Sequence, residues 1–211
     1  MTTTAWVLLG CAGIAAVVDW VAVGRGLTTL EYVAKPTATI AFLAVALTLD
    51  PVHGDVRTWF VVALVACLAG DVFLMLPGGR FVFGLGSFLV AQLLFAVGFS
   101  LHAGTVAEHM LGVGIVAALA VPLCRRFVRA LRASGRSELV VPVVVYIGAI
   151  GAMAATAIAS GNAVAIAGAL LFMASDALIA ETRFVRDHRG GRVAIMVTYH
   201  AALAGLVLSL L

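Results

Sequence analysis

Charged side chains are scarce in this sequence, and that scarcity excludes an ordinary soluble domain. Only 11% of the 211 residues are Asp, Glu, Lys or Arg, while 64% are hydrophobic; globular chains run at roughly 25% and 45–50%. Cysteine is scarce too: Cys11, Cys67 and Cys124 lie far apart in apolar segments, with no CxxC pair. They read as small core residues, not as a disulfide or metal set. No GxSxG, HExxH or Gly-rich phosphate loop occurs, which leaves serine-hydrolase and zinc-hydrolase readings without support. The net charge of +3 is no nucleic-acid signal, because the positions of the charges account for it. Leu8-Leu9-Gly10-Cys11 faintly resembles a lipoprotein cleavage site, but Met1 to Thr4 carry no basic side chain. A retained first helix is therefore expected.

What is abundant is apolar length. A bilayer core about 30 Å thick takes about 20 apolar residues per helical span. Eight runs qualify, at 5–24, 30–49, 59–76, 83–101, 105–124, 139–160, 163–180 and 193–211. They fill residues 1–211 as a single integral membrane domain, an all-α bundle of about eight transmembrane helices. Turn chemistry separates them: Gly24-Arg25-Gly26, Asp50-Pro51 through Asp55, Pro77-Gly78-Gly79, Ser160-Gly161-Asn162 and Gly190-Gly191. The 22 glycines suit the close backbone approach on which helix association in lipid depends.

The positive charges test the span count independently. Eight spans put Arg25, Lys35, Arg80, Arg125, Arg126, Arg129, Arg132, Arg136, Arg183, Arg186, Arg189 and Arg192 on one side, and Arg57 alone on the other. The positive-inside rule makes the crowded side cytoplasmic, so both termini are expected on the far side of a cell membrane. The Arg-rich connection between spans five and six reads first as a topology determinant and second as a contact for anionic head groups. Pro36 and Pro142 are 106 residues apart and Asp71 and Asp176 are 105 apart, a spacing that two four-helix halves of like orientation would produce.

Charge inside a membrane is costly and marks candidate function. Asp19, Lys35, Asp71 and Asp176 all fall within four or five residues of the basic ends of their spans, roughly 6–8 Å deep at the helical rise. Tyr199 and His200 come in from the same side. The bland alternative is an ion-paired bundle, in which Lys35 neutralises one aspartate and the others reach interfacial water, or Glu31 pairs with Lys35 at i and i+4. His53, His102, His109 and Glu108 belong to the opposite side and, lacking zinc-like spacing, are expected to be solvated.

Several segments carry a more specific signal: Tyr32-Val33-Ala34-Lys35-Pro36-Thr37, Gly70-Asp71 through Met75, and Phe81-x-x-Gly84-x-x-x-Phe88-x-x-Ala91. Tyr146 with Met153, Phe172-Met173-Ala174-Ser175-Asp176 through Arg183-Phe184, and Thr198-Tyr199-His200 follow in order. From Tyr32 to the C-terminus this pattern resembles the YhhN lysoplasmalogenase family. The chain departs from it at Gln92 and Phe95, where the family usually has His and Tyr, and at Leu203, where it usually has Gln. The resemblance implies eight spans and hydrolysis of the vinyl-ether bond of a lysophospholipid, giving a fatty aldehyde and a glycerophospho-alcohol, with no metal or organic cofactor. One of Asp71 and Asp176 would then be the catalytic acid and the other its ionised counterpart, in an order the sequence leaves open, as paired carboxylates are in glycosidases. Lys35, Tyr146, Tyr199, His200 and Gln92 would contact substrate. Surrounding lipids are the other expected partner, no nucleic acid is expected, and the oligomeric state stays open. A proton-coupled transporter or lipid-binding protein using the same acids is the alternative.

Overall fold

The computed structural model describes residues 1–78, 80–102 and 104–211; Gly79 of the expected Pro77-Gly78-Gly79 turn lies outside them. Eight α-helices among the described residues are long and apolar enough to cross a bilayer. They are α1 (Thr3–Arg25), α2 (Thr28–Thr48), α3 (Gly54–Met75), α4 (Phe81–Ser100), α5 (Val106–Ala133), α6 (Val140–Ala159), α7 (Ala163–Phe184) and α8 (Gly191–Leu208), with a 3₁₀ turn at Ser137–Leu139. The apolar runs become helices because lipid offers the backbone no hydrogen-bond partner outside the segment itself. The helix starts are capped locally. Thr2 and Asn162 accept from the first-turn amides of α1 and α7, and Thr105 and Glu108 close a reciprocal capping box on α5.

The expected spans map one to one onto these helices, with one clear difference. Span five was expected to end at Cys124, whereas α5 runs on to Ala133 and carries Arg125, Arg126, Arg129 and Arg132 as helix rather than loop. Arginine is a good helix former, and Phe127 and Leu131, four residues apart, bury against Val143 and Phe184. That small apolar cluster holds the extension down.

Sequential helices pack as antiparallel pairs, α1 with α2, α3 with α4, α5 with α6 and α7 with α8. The pairs meet through α2–α3, α6–α7, α5–α7, α4–α6, α2–α8 and α1–α8. Advancing each number by four turns α4–α6 into α8–α2, so the two halves grip each other by the same contact made twice. The packing is thus that of two four-helix halves. α7 and α8 approach most closely at paired glycines: a Cβ on Gly205 would stand 2.8 Å from the Gly168 Cα, a distance only glycine allows.

Both termini lie at one end of the bundle. Thr2 Oγ donates to the Thr48 carbonyl at 2.8 Å, and the Val52 amide donates to the Leu210 carbonyl at 2.9 Å. At the other end, Tyr32 Oη reaches the Met75 carbonyl at 2.8 Å and Arg136 reaches the Arg183 carbonyl at 3.0 Å. Large apolar side chains such as Ile14, Phe83 and Val106 face outward, as a lipid-facing surface requires.

Candidate active site

Two adjoining groups of polar residues are buried toward the basic end. Asp71, fully buried on α3, is surrounded by α2 and α8. Its Oδ1 lies 3.2 Å from Lys35 Nζ, and its Oδ2 accepts from Thr39 Oγ1 at 2.7 Å and Tyr199 Oη at 2.8 Å. An ammonium and two hydroxyl donors around one carboxyl make an acceptor geometry that suits an ionised Asp71. The Lys35 ammonium also lies 5.7 Å from the centre of the Tyr199 ring.

Asp176 on α7 has a different setting. Its Oδ2 accepts from Tyr146 Oη on α6, and Oδ1 has no hydrogen-bond partner among the described residues. The Gln92 amide on α4 lies beside the same phenol, although neither of its polar atoms is hydrogen-bonded. The two acids are therefore held alike: each is gripped by the preceding helix of its own half, with the last helix of the other half alongside. Only the first half supplies a lysine.

Asp176 and Tyr146 open onto a narrow, partly open cleft of about 70 Å³ between α4, α5, α6 and α7. Among the described residues they are its only hydrogen-bonding side chains. The rest of the wall is hydrocarbon, including Leu85, Phe88, Phe127, Ile150 and Met173. Phe88 links the cleft to the Asp71 group, standing edge-on to Tyr199 at 5.8 Å between ring centres and to Phe172 at 6.1 Å. The glycine before Asp71 makes room for it, since a Cβ on Gly70 would lie 2.6 Å from the Phe88 ring. Ser175, before Asp176, instead ties α7 to α8 by donating to the Ile195 carbonyl at 3.1 Å.

A YhhN family model matches residues 30–210, which takes in both acids, Lys35 and the whole cleft. The chain belongs to the YhhN family. Lysoplasmalogenases from Mycobacterium bovis (strain ATCC BAA-935 / AF2122/97) and Mycobacterium tuberculosis (strain CDC 1551 / Oshkosh) are each 33% identical to it over 208 residues, spanning 93% of this chain and 80% of the relative. No solved structure matches it.

Of the seven candidate residues in this YhhN chain, the structure groups Lys35, Asp71 and Tyr199 together and places Asp176 and Tyr146 on the cleft. His200 sits outside both groups, its Nδ1 accepting from Trp20 Nε1 at 3.0 Å while Nε2 is buried without a partner. The i, i+4 pairing of Glu31 with Lys35 does not form. Glu31 turns to α8 and takes Arg192 through both carboxylate oxygens at 2.8 Å, leaving Lys35 to Asp71. Asp19 does not reach interfacial water either, being fully buried with both oxygens unpartnered.

Sequence reasoning missed one grouping. His53, Asp55 and His102 meet at the opposite end, with His102 Nε2 2.9 Å from Asp55 Oδ2 and the two imidazoles stacked at 3.8 Å. Their sequence separation gave no signal, because the contact is made by the folded ends of α3 and α4. Glu108 caps α5 by accepting from the Thr105 amide, and His109 Nδ1 lies 3.0 Å from the Thr105 carbonyl.

Proposed function

We propose that this chain hydrolyses the vinyl-ether bond of lysoplasmalogen-like lysophospholipids within the membrane. The reading is supported above all by the cleft, a partly open hydrocarbon groove with one carboxyl group set in its wall. It is supported also by the family and by the two lysoplasmalogenase relatives.

The substrate's vinyl-ether chain occupies the cleft, with its alkene beside Asp176. Protonated Asp176 gives its Oδ1 proton to the outer alkene carbon. The C=C pair takes that proton, and the adjoining carbon becomes an oxocarbenium ion stabilised by the ether oxygen. Water adds to that carbon and returns a proton to the Asp176 carboxylate. The resulting hemiacetal collapses, breaking the C–O bond to release a fatty aldehyde and a glycerophospho-alcohol. Tyr146 holds Oδ2, which leaves Oδ1 directed at substrate. Asp71, ionised beside Lys35, supplies the fixed negative charge that favours the cationic intermediate. The charge asymmetry supports a cytoplasm-facing site with both termini outside.

The test is to incubate purified protein with vinyl-ether, ester and saturated-ether lysolipids. Aldehyde release from the vinyl ether alone is expected, and Asp71→Asn and Asp176→Asn should each abolish it while staying folded in detergent. Full activity in either variant would remove that residue from the mechanism. A transporter using the same acids would release no aldehyde at all.

A further inference from the structure

We propose that Arg183 and Arg136 form a clamp for the substrate's phosphate at the mouth of the cleft, which rests on the lysolipid reading above. The two guanidinium groups are fixed on the aromatic rim. Arg183 stands 3.9 Å over the Phe81 ring and Arg136 5.3 Å from the centre of the Phe184 ring. The two rings meet edge to face at 5.9 Å and both line the cleft. Arg136 is held further by its hydrogen bond to the Arg183 carbonyl. Arg136 spends Nη2 on that carbonyl and Nε on Ser134 Oγ at 3.4 Å, which leaves Nη1, while the Arg183 guanidinium makes no hydrogen bond among the described residues; such guanidinium N–H groups are the donors that match phosphate oxygens.

Three other cations near the site are already engaged. Lys35, Arg126 and Arg192 are each taken by a carboxylate, from Asp71, Glu181 and Glu31. Neither Arg183 nor Arg136 has a carboxylate partner among the described residues. Lys35, sealed beside Asp71, is not placed to meet a head group.

The spacing fits a glycerophospholipid. Arg183 follows Asp176 by seven residues, two turns along the same face of α7, or about 10 Å. In a lysolipid the vinyl-ether carbon and the phosphorus are six bonds apart, roughly 7 Å at ordinary bond lengths and angles. The side chains at both ends span the difference. With phosphate at Arg183 and Arg136 and the chain in the cleft, the ether linkage falls beside Asp176. Recognition is therefore of the phosphodiester, not of the chain alone.

Binding and turnover separate the clamp from the catalytic reading. A saturated alkyl-ether lysophosphocholine and a monoalkylglycerol of the same chain serve as uncleavable probes, with and without phosphate. Against wild type, Arg136→Gln/Arg183→Gln should bind the phosphate-bearing probe about ten- to a hundredfold more weakly, the range for lost charge-assisted hydrogen bonds, and the alkylglycerol equally well. Unchanged affinity for the phosphate probe, or equal losses on both probes, overturns the clamp. Arg136→Lys/Arg183→Lys, keeping charge without the planar fork, should recover part of the loss. Glycerophosphocholine, which has the phosphate without the chain, should compete weakly; competition as strong as the full lipid's would make a free phosphate ester the ligand instead. Selective phosphate binding by a protein that releases no aldehyde would sustain the clamp while removing the hydrolase reading.

Discussion

Tyr146 on α6 donates a hydrogen bond to Asp176 on α7, and among the described residues the pair are the only hydrogen-bonding side chains in a wall of hydrocarbon. A carboxyl group in such a place has one oxygen fixed and one turned to whatever fills the cleft. That asymmetry separates Asp176 from Asp71, whose oxygens already face Lys35, Thr39 and Tyr199.

Removing the phenol hydroxyl should loosen the acid without deleting it. Tyr146→Phe is expected to lower kcat about ten- to a hundredfold, the cost of one hydrogen bond to a charged or acidic group. KM should change little. A coupled assay that reduces the released aldehyde measures both; an unchanged kcat would leave Tyr146 as a packing residue.

The Lys35–Asp71 pair should behave as a unit. Lys35→Met leaves a buried carboxylate without its cation and is expected to cost about 3–5 kcal/mol of stability. Lys35→Met/Asp71→Asn keeps the acceptor for Thr39 and Tyr199 without the charge, and should regain much of that loss. Thermal unfolding in detergent reads it, and additive losses would show that the two residues do not compensate each other.

The cleft should set chain length. Ala177 lines it one residue beyond Asp176, so Ala177→Phe narrows the space that receives the hydrocarbon. The variant is expected to lose about tenfold or more in kcat/KM on long-chain substrates relative to short ones, since each excluded methylene is worth about 1–3 kcal/mol. A uniform loss across chain lengths would point to a chain bound elsewhere.

Orientation has its own test. In a chain with Cys11, Cys67 and Cys124 replaced by alanine, an impermeant maleimide on intact cells should label Val52→Cys, at the end with the termini, and spare Arg189→Cys. Opened membranes should label both. The reverse pattern would turn the site to the outer face and leave the cleft chemistry untouched.

Much of this architecture was legible because lipid imposes one rule on every span: apolar side chains outward and a self-satisfied backbone. That rule made the eight helices visible, and the positions of Arg25 through Arg192 checked the count. It said nothing about where α5 ends, because Phe127 and Leu131 anchor the Arg-bearing turns through contacts with α6 and α7. The intramembrane acids were legible by their cost, but not their partners. Glu31 takes Arg192 across 161 residues rather than Lys35 across four, a choice made by how α2 and α8 pack. Tyr146 was read as a substrate contact, and its bond to Asp176 needed α6 and α7 in place. The cleft left no mark in the sequence, since its walls are the same Leu, Ile and Phe that fill the core.

The most direct measurement follows a single hydrogen. In D₂O, with the aldehyde trapped as it forms, wild-type protein acting on a vinyl-ether lysolipid should give a fatty aldehyde carrying one deuterium on the carbon next to the carbonyl. Asp176→Asn should give none of that product while still binding the saturated-ether probe. Aldehyde without deuterium at that carbon, or deuterated aldehyde at the wild-type rate from Asp176→Asn, would contradict protonation of the alkene by Asp176.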